Sequence, residues 1–267
     1  MTGRRPDGYH TLESELVLLE LADGLLLMPG CSGLRVEASP DDDVPRTPGR
    51  NLAWRGLLAG LESEPQLACL ALEKRIPSAA GLGGGSSDAA AAWRLGRAWR
   101  GLADEFARDP GQLARLAEIG ADVPFFAAGW PVARVEGIGE VVAPAAPPAA
   151  AEVVLAHPPY RLATATVFAE LRPDEWGSAE GPDGNDLLAP ARRLRPELDD
   201  VMRLAAAAGV GPRLSGSGPT VFALSDDPER ADAAVARLRR AGLRATRTRL
   251  RPEPASIEEL SDDEEDA

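Results

Sequence analysis

Residues 81–90 read Gly-Leu-Gly-Gly-Gly-Ser-Ser-Asp-Ala-Ala. With four glycines in the first five positions, this backbone can turn sharply, reach positive φ and bring its N–H groups close to a ligand. A helix is predicted to follow: Ser86 or Ser87 can cap it, Asp88 suits its first turn, and Ala89–Leu95 is apolar and helix-favouring. A strand, Leu67–Ile76, is predicted before it. Strand, glycine loop and helix start together form an anion cradle, in which free N–H groups and the positive end of the helix dipole face one point. Its natural occupant is a phosphate. The pattern is not a P-loop, because no lysine follows the last glycine. Nor is it a dinucleotide fingerprint, which belongs in the first βα unit of a chain.

Three further stretches carry candidate chemistry. Gly120-Ala-Asp-Val-Pro-Phe-Phe126 places one acid, Asp122, among apolar neighbours after a predicted helix Gln112–Ile119. Desolvation raises the pKa of such an acid, which suits it to take a proton from an alcohol; a helix cap is the plainer alternative. Ser215-Gly-Ser-Gly-Pro219 is either a second nest for phosphate or substrate, or a tight turn. Arg4-Arg-Pro-Asp-Gly-Tyr-His10 sets Tyr9 and His10 beside turn residues, where they either engage a base-like ring or simply lie at the surface. Asn185 reads as a helix cap. Cys31 and Cys69 lack a spacing pattern and are expected to be reduced and structural. His10 and His157 lie far apart, which argues against a zinc site, and no metal held by protein side chains is expected.

Composition narrows the function classes. The formal net charge is −13, of which −7 belongs to the run from Ile257 to Ala267, leaving −6 for the body. A mildly acidic body argues against broad nucleic-acid binding. No apolar run reaches 18 residues and the N-terminus lacks an apolar signal core, so no membrane span is expected and the expected compartment is the cytoplasm.

Two units must position these residues. In the first (1–143), strands are predicted at Leu12–Leu21, Leu25–Met28 and around Leu34–Ala38, a helix at Asn51–Leu61 capped by Asn51, and a hairpin around Gly137-Ile-Gly139. The stretch 144–151 reads as a linker. The second unit (153–251) alternates strands at Val153–Ala156, Thr220–Leu224 and Leu243–Leu250 with helices at Thr164–Leu171, Pro196–Ala208 and Pro228–Ala241. Residues 252–267 read as an acidic disordered tail.

Taken together, the glycine loop, Gly120-Ala-Asp-Val-Pro and Leu214-Ser-Gly-Ser-Gly-Pro resemble the three motifs of the kinase superfamily named for galactokinase, homoserine kinase, mevalonate kinase and phosphomevalonate kinase (GHMP). Arg5-Pro-Asp-Gly-Tyr-His10 and Glu136-Gly-Ile-Gly-Glu140 resemble its branch that phosphorylates the 2-hydroxyl of a cytidine diphosphate derivative of methylerythritol, in the non-mevalonate isoprenoid pathway. The resemblance implies an α+β, two-lobed fold, with a ribosomal-protein-S5-domain-2-like N-terminal lobe and a ferredoxin-like C-terminal lobe. It implies ATP and Mg²⁺ as cofactors, a small-molecule substrate, and a monomer or weak homodimer. By the family's pattern Gly81, Leu82, Gly83, Gly84, Gly85, Ser86 and Ser87 hold the ATP phosphates, Asn51 and Lys74 lie near the adenosine, and Asp122 takes the hydroxyl proton. Tyr9, His10 and Phe168 hold the cytosine, while Ser215, Gly216, Ser217 and Gly218 close on the substrate.

Members of this family also resemble one another in an N-terminal strand ahead of the Pro-Asp-Gly-Tyr-His stretch, whose lysine pairs with the catalytic Asp and the transferred phosphate. Here only Met1–Gly3 stand in front of Arg4. A start codon assigned downstream of the true one is the expected reason, and this form is expected to leave the neighbouring strand with an open edge and to lose activity and stability. The alternatives are another GHMP small-molecule kinase, or a nucleotide-binding member without catalysis.

Overall fold

The computed structural model describes residues 1–40, 42–62, 68–102, 105–177 and 184–260. Its N-terminal lobe opens with β1 (Gly3–Arg4), β2 (His10–Val17), β3 (Gly24–Pro29) and β4 (Gly33–Glu37), then α1 (Leu52–Leu61), β5 (Ala68–Glu73) and α2 (Gly84–Trp99). Helices α3 (Pro110–Ala117) and α4 (Val123–Ala128) and the hairpin β6 (Val132–Gly137) and β7 (Val141–Pro144) complete it. The C-terminal lobe comprises β8 (Glu152–His157), α5 (Thr164–Glu170), α6 (Leu188–Leu194), α7 (Leu198–Ala207), β9 (Arg213–Leu214), β10 (Val221–Ser225), α8 (Pro228–Arg240) and β11 (Arg244–Arg249).

The N-terminal lobe holds two sheets, ordered β1-β2-β6-β7 and β3-β5-β4. In the second, β5 is central, antiparallel to β3 and parallel to β4, and the parallel pair is joined through α1. Asn51 caps α1 as expected, its Oδ1 accepting from Ala53 N at 2.9 Å and Trp54 N at 3.4 Å. Such a cap stabilises a helix by about 1 kcal/mol. Helices α1 and α2 cross with their backbones almost touching. A Cβ at Gly56 would overlap the Ala89 carbonyl, and one at Gly60 the Trp93 carbonyl. The two glycines of α1 therefore let α2 lie against it, while Trp54, Leu57, Leu70 and Leu72 fill the space toward the sheet.

The C-terminal lobe is one antiparallel sheet of order β11-β8-β10-β9, which counted within the lobe is 4-1-3-2, the ferredoxin-like arrangement. Every residue of β8 is buried, consistent with its place inside the sheet. Leu198, Val201, Leu238 and Val167 cover the sheet and form a core separate from those of the first lobe.

Several sequence expectations need correction. Cys31 and Cys69 are joined in a disulfide, with Cα atoms 5.3 Å apart. Cys69 stands on β5 opposite Met28 on one side and Gly33 on the other, so the β3–β4 turn carries Cys31 back over it. Neither Ser86 nor Ser87 caps α2; the cap position is Gly83, in the left-handed region at φ 67°, and both serines lie within the first turn. Asp88 is buried beneath the loop rather than exposed at the helix end. The apolar stretch after Asp122 forms a further helix, α4, with Pro124 in its first turn.

Strand β1 pairs only with His10 and Thr11, and among the described residues no strand lies along the outer edge of β2 from Leu12 to Val17. Residues 252–260 have no regular secondary structure, and the Ala255 carbonyl accepts from Arg94 at 2.7 Å. Leu67, expected to begin β5, and the tail beyond Leu260 lie outside the described residues.

Candidate active site

The glycine loop sits where the two lobes meet. Gly81, at φ 74°, comes so near the second glycine-serine loop that a Cβ there would lie 2.5 Å from the Ser215 carbonyl oxygen and 2.7 Å from that of Gly218. Ser215 Oγ donates to the Gly81 carbonyl at 2.7 Å, and Thr220 N donates to the Ala80 carbonyl at 3.2 Å. Gly81, Ser215 and Gly218, assigned separately from the sequence, therefore form one lobe junction.

The loop then turns into α2. Ser87 N donates to the Gly83 carbonyl at 2.9 Å, the first bond of that helix. The N–H groups of Gly84, Gly85 and Ser86 precede it and have no acceptor within the helix. They point where a 16-residue helix directs its positive end. The floor beneath is packed closely: a Cβ at Gly84 would meet Ile76 Cγ2 at 2.9 Å, and one at Gly85 would meet Leu52 at 3.3 Å. The start of α1, where Asn51 sits, thus borders the cradle. Asn51 itself is buried and internally bonded, its Nδ2 donating to the Pro45 carbonyl at 2.7 Å.

Lys74 reaches the cradle from below. Its ammonium pairs with Asp23 and, at 2.7 Å, with Asp88 Oδ2. It lies 3.4 Å from where a Cβ of Gly84 would stand. Burial works against charge on Lys74, but the two carboxylates outweigh it and hold its pKa above the ordinary value. Two acids share one ammonium here, and burial pushes Asp88 up to about 7; its Oδ1 is buried and has no hydrogen-bond partner. The sequence reading missed Asp23. Its Oδ1 also accepts from Arg75 N at 2.6 Å and Ile76 N at 2.9 Å, which fixes the segment leading into the glycine loop.

Asp122 occupies the cap position of α4, yet its side chain makes no capping bond. Its Oδ2 lies 3.8 Å from where a Cβ of Gly83 would stand, so the carboxylate adjoins the cradle. The residue is exposed, and the partial desolvation imposed by the protein beside it raises its pKa above the ordinary carboxylate value. The opening to solvent makes the rise smaller than full enclosure would give. The hairpin turn Gly137-Ile-Gly139 backs it, with Gly139 so close to the Ala121 carbonyl that a Cβ would overlap it. Ser86 Oγ lies 3.4 Å from the Cβ position of Gly120, on the approach to Asp122.

At the other end, rings from both lobes gather. The His10 ring on β2 lies 5.5 Å from that of Phe168 on α5, at a tilt of 36°, and 5.5 Å edge-on from Trp176. Burial is the main reason His10 titrates below its ordinary value. Tyr9 is 63% exposed, with its ring standing into solvent. Trp176, another residue the sequence reading missed, packs on the C-terminal core, and its indole N–H is buried without an acceptor. Asn185 is not the helix cap that the sequence suggests, since that position is Leu187; its Oδ1 accepts from Leu187 N at 2.9 Å, and its Nδ2 donates to the Leu214 and Gly216 carbonyls at 3.1 and 2.8 Å, which anchors the second loop. Ser217 Oγ and Thr164 Oγ1 lie 2.9 Å apart within that loop's support.

Comparison with known proteins identifies the family and the fold. Residues 51–129 match the family model "GHMP kinases N terminal domain", and residues 167–243 match "GHMP kinases C terminal". The 4-diphosphocytidyl-2-C-methyl-D-erythritol kinase of Thermus thermophilus is 38% identical over 254 residues, covering 88% of this chain and 86% of that protein. The same-named kinase of Rhodopseudomonas palustris is 36% identical, covering 90% and 88%. A crystal structure of a 4-(cytidine 5'-diphospho)-2C-methyl-D-erythritol kinase superposes with a TM-score of 0.73 at 35% identity, covering 92% of each chain. A mevalonate kinase structure shares the fold alone, with a TM-score of 0.64 at 12% identity. This chain therefore belongs to the 4-diphosphocytidyl-2-C-methyl-D-erythritol kinase family of the GHMP kinases.

Proposed function

We propose that this chain transfers a phosphoryl group from ATP to the 2-hydroxyl of 4-diphosphocytidyl-2-C-methyl-D-erythritol. The observation that carries the reading is the juxtaposition of Asp122 with the glycine loop, its Oδ2 3.8 Å from the Cβ position of Gly83. Phosphoryl transfer asks a protein mainly for positioning and charge stabilisation. The amides of Gly84, Gly85 and Ser86 receive the phosphates, and Lys74, neutralised by Asp23 and Asp88, braces the segment beneath them. Asp122 accepts the proton of the attacking hydroxyl, and its raised pKa strengthens it as a base near neutral pH.

Magnesium fits this arrangement as an ion carried on the triphosphate. Among the described residues no three acids, histidines or cysteines come together to hold one. Its charge would neutralise the phosphate oxygens beside Asp122. Tyr9, His10 and Phe168 hold the cytosine between the lobes, and the 215–218 loop closes on the acceptor. The reading places the work in the cytoplasm, where ATP is supplied.

Substrate-dependent ADP release is the test. Release with the cytidine-containing alcohol, and none with homoserine or mevalonate, is expected. Release with either of the latter at comparable kcat/KM would move the chain to another branch. ATP binding with no release on any of the three alcohols would make it a nucleotide-binding protein.

A further inference from the structure

A groove of about 510 Å³ opens on the N-terminal lobe between α1, α2 and α3, lined in part by Arg55, Arg97 and Arg115. Its volume lies in the range of small-molecule sites. Trp93, Leu116 and Ile119 give it an apolar lining. Of its two acids, Glu62 is engaged by Arg100 at 3.0 Å, and Glu118 is exposed. Among the described residues, neither Arg97 nor Arg115 has a carboxylate partner. The Arg97 guanidinium stacks over Trp93, 5.1 Å from the ring centre, and its Nε is shielded from solvent without an acceptor. A donor buried in that way costs free energy until something accepts from it.

Arg55 ties this groove to the candidate active site. Its Nη2 donates to the Glu118 carbonyl at 3.0 Å and its Nη1 to the Ile119 carbonyl at 3.3 Å. Those carbonyls close the end of α3, three and four residues before Asp122. Arg97 lies on α2, the helix whose first turn forms the phosphate cradle.

We infer that this groove is a second, regulatory site for a small phosphorylated molecule with an apolar body. Guanidinium forks match the oxygens of a phosphoryl group, and the Trp93–Leu116–Ile119 side takes the apolar part. When the site fills, Arg55 turns from the two carbonyls toward the anion. The 118–122 segment loosens, Asp122 loses its set position, and turnover falls. The effect on turnover rests on the function proposed above; the binding does not.

Phenyl phosphate is a suitable probe, titrated calorimetrically into the full chain with the active site already filled by ADP, magnesium and cytidine diphosphate. One further equivalent should bind. Arg97→Gln and Arg115→Gln should each weaken it about tenfold, the scale of one charge-assisted hydrogen bond. Under saturating substrates phenyl phosphate should lower kcat severalfold in the unaltered chain, and Arg97→Gln should need about tenfold more of it for the same fall. No heat from the filled protein, or equal affinity in both variants with unchanged melting temperatures, overturns the site. Binding without any change in kcat overturns its regulatory role. A chain that binds the probe yet phosphorylates none of the three alcohols refutes the function proposed above and leaves the groove standing.

Discussion

The two ends of the candidate site are built from different materials. The proposed phosphate end is backbone: glycines 81, 83, 84 and 85, a helix start, and a lobe junction where a Cβ at Gly81 would press on two carbonyls. The base end is side chain: Tyr9 and His10 from the first lobe, Phe168 and Trp176 from the second, meeting at ring distances of 5.5 Å where they touch. A backbone cradle is rigid and indifferent to what the phosphate is attached to, so it sets the reaction class. A ring cluster drawn from distant segments adapts to one shape and sets the substrate. The difference predicts that damage at the first end reaches kcat, and damage at the second reaches one KM.

Asp122→Asn should have the largest effect. The amide keeps the shape and cannot take the proton, so kcat falls about 10²–10⁴-fold while ATP binding persists. Turnover within tenfold of the unaltered chain would remove Asp122 from the chemistry. The same carboxylate sets a pH limb. Because desolvation raises its pKa, the active, deprotonated form is lost as pH falls, and at a higher pH than an ordinary carboxylate would lose it. The acid limb of kcat should therefore vanish in the residual activity of Asp122→Asn.

Gly81→Ala comes next. It forces a side chain into the left-handed region and into the Ser215 and Gly218 carbonyls. Gly101 supplies the control, with a similar φ of 72° and nothing within 4 Å of its Cβ position. Backbone strain alone costs about 1–3 kcal/mol. Gly101→Ala should lower the melting temperature by that strain only. Gly81→Ala should lower it further and lower kcat. Equal melting temperatures would mean that the lobes do not depend on this junction.

His157 tests how the second loop is held. It is buried, its Nδ1 lies 3.2 Å from Thr220 Oγ1, and burial pulls its pKa down to about 4. The unfolded chain takes up a proton at an ordinary pKa of about 6.5 while the folded chain does not. Stability is thus complete above that value and declines as pH falls toward about 4, by about 3 kcal/mol at most. In His157→Gln the loss between those limits should be smaller by that amount. An unchanged pH dependence of melting would mean that the ring is not held neutral.

The phosphate end was legible in the sequence because backbone needs write themselves as glycine. The glycine loops could be read in that way, and the Asn51 cap from its side chain; the ferredoxin-like second lobe came from the family resemblance. What failed depended on contacts between segments. Ser86 and Ser87 look like caps, but Gly83 reaches the left-handed cap conformation more cheaply and starts the helix earlier. Asp88 looks like a first-turn acid, but Lys74 draws it inward. Asp23 and Trp176 carry no local signal at all, since their partners lie 51 residues away in one case and on the other lobe in the second. Cys31 and Cys69 are 38 residues apart with no motif, and only the β3–β4 turn brings them together.

Tyr9 gives the smallest effect and the sharpest comparison within the base end. Its ring is 63% exposed, whereas His10 is braced by Phe168 and Trp176. An exposed ring contributes little to the fold, so Tyr9→Ala should leave the melting temperature unchanged. Stacking on a base stabilises a complex by roughly 1–3 kcal/mol, so KM for the cytidine substrate should rise about tenfold with KM for ATP unmoved. His10→Ala removes a ring that two others pack against, and should cost both KM and stability. If Tyr9→Ala raised both KM values equally, the cytosine would lie elsewhere, and the division between a backbone end and a side-chain end would fail at this residue first.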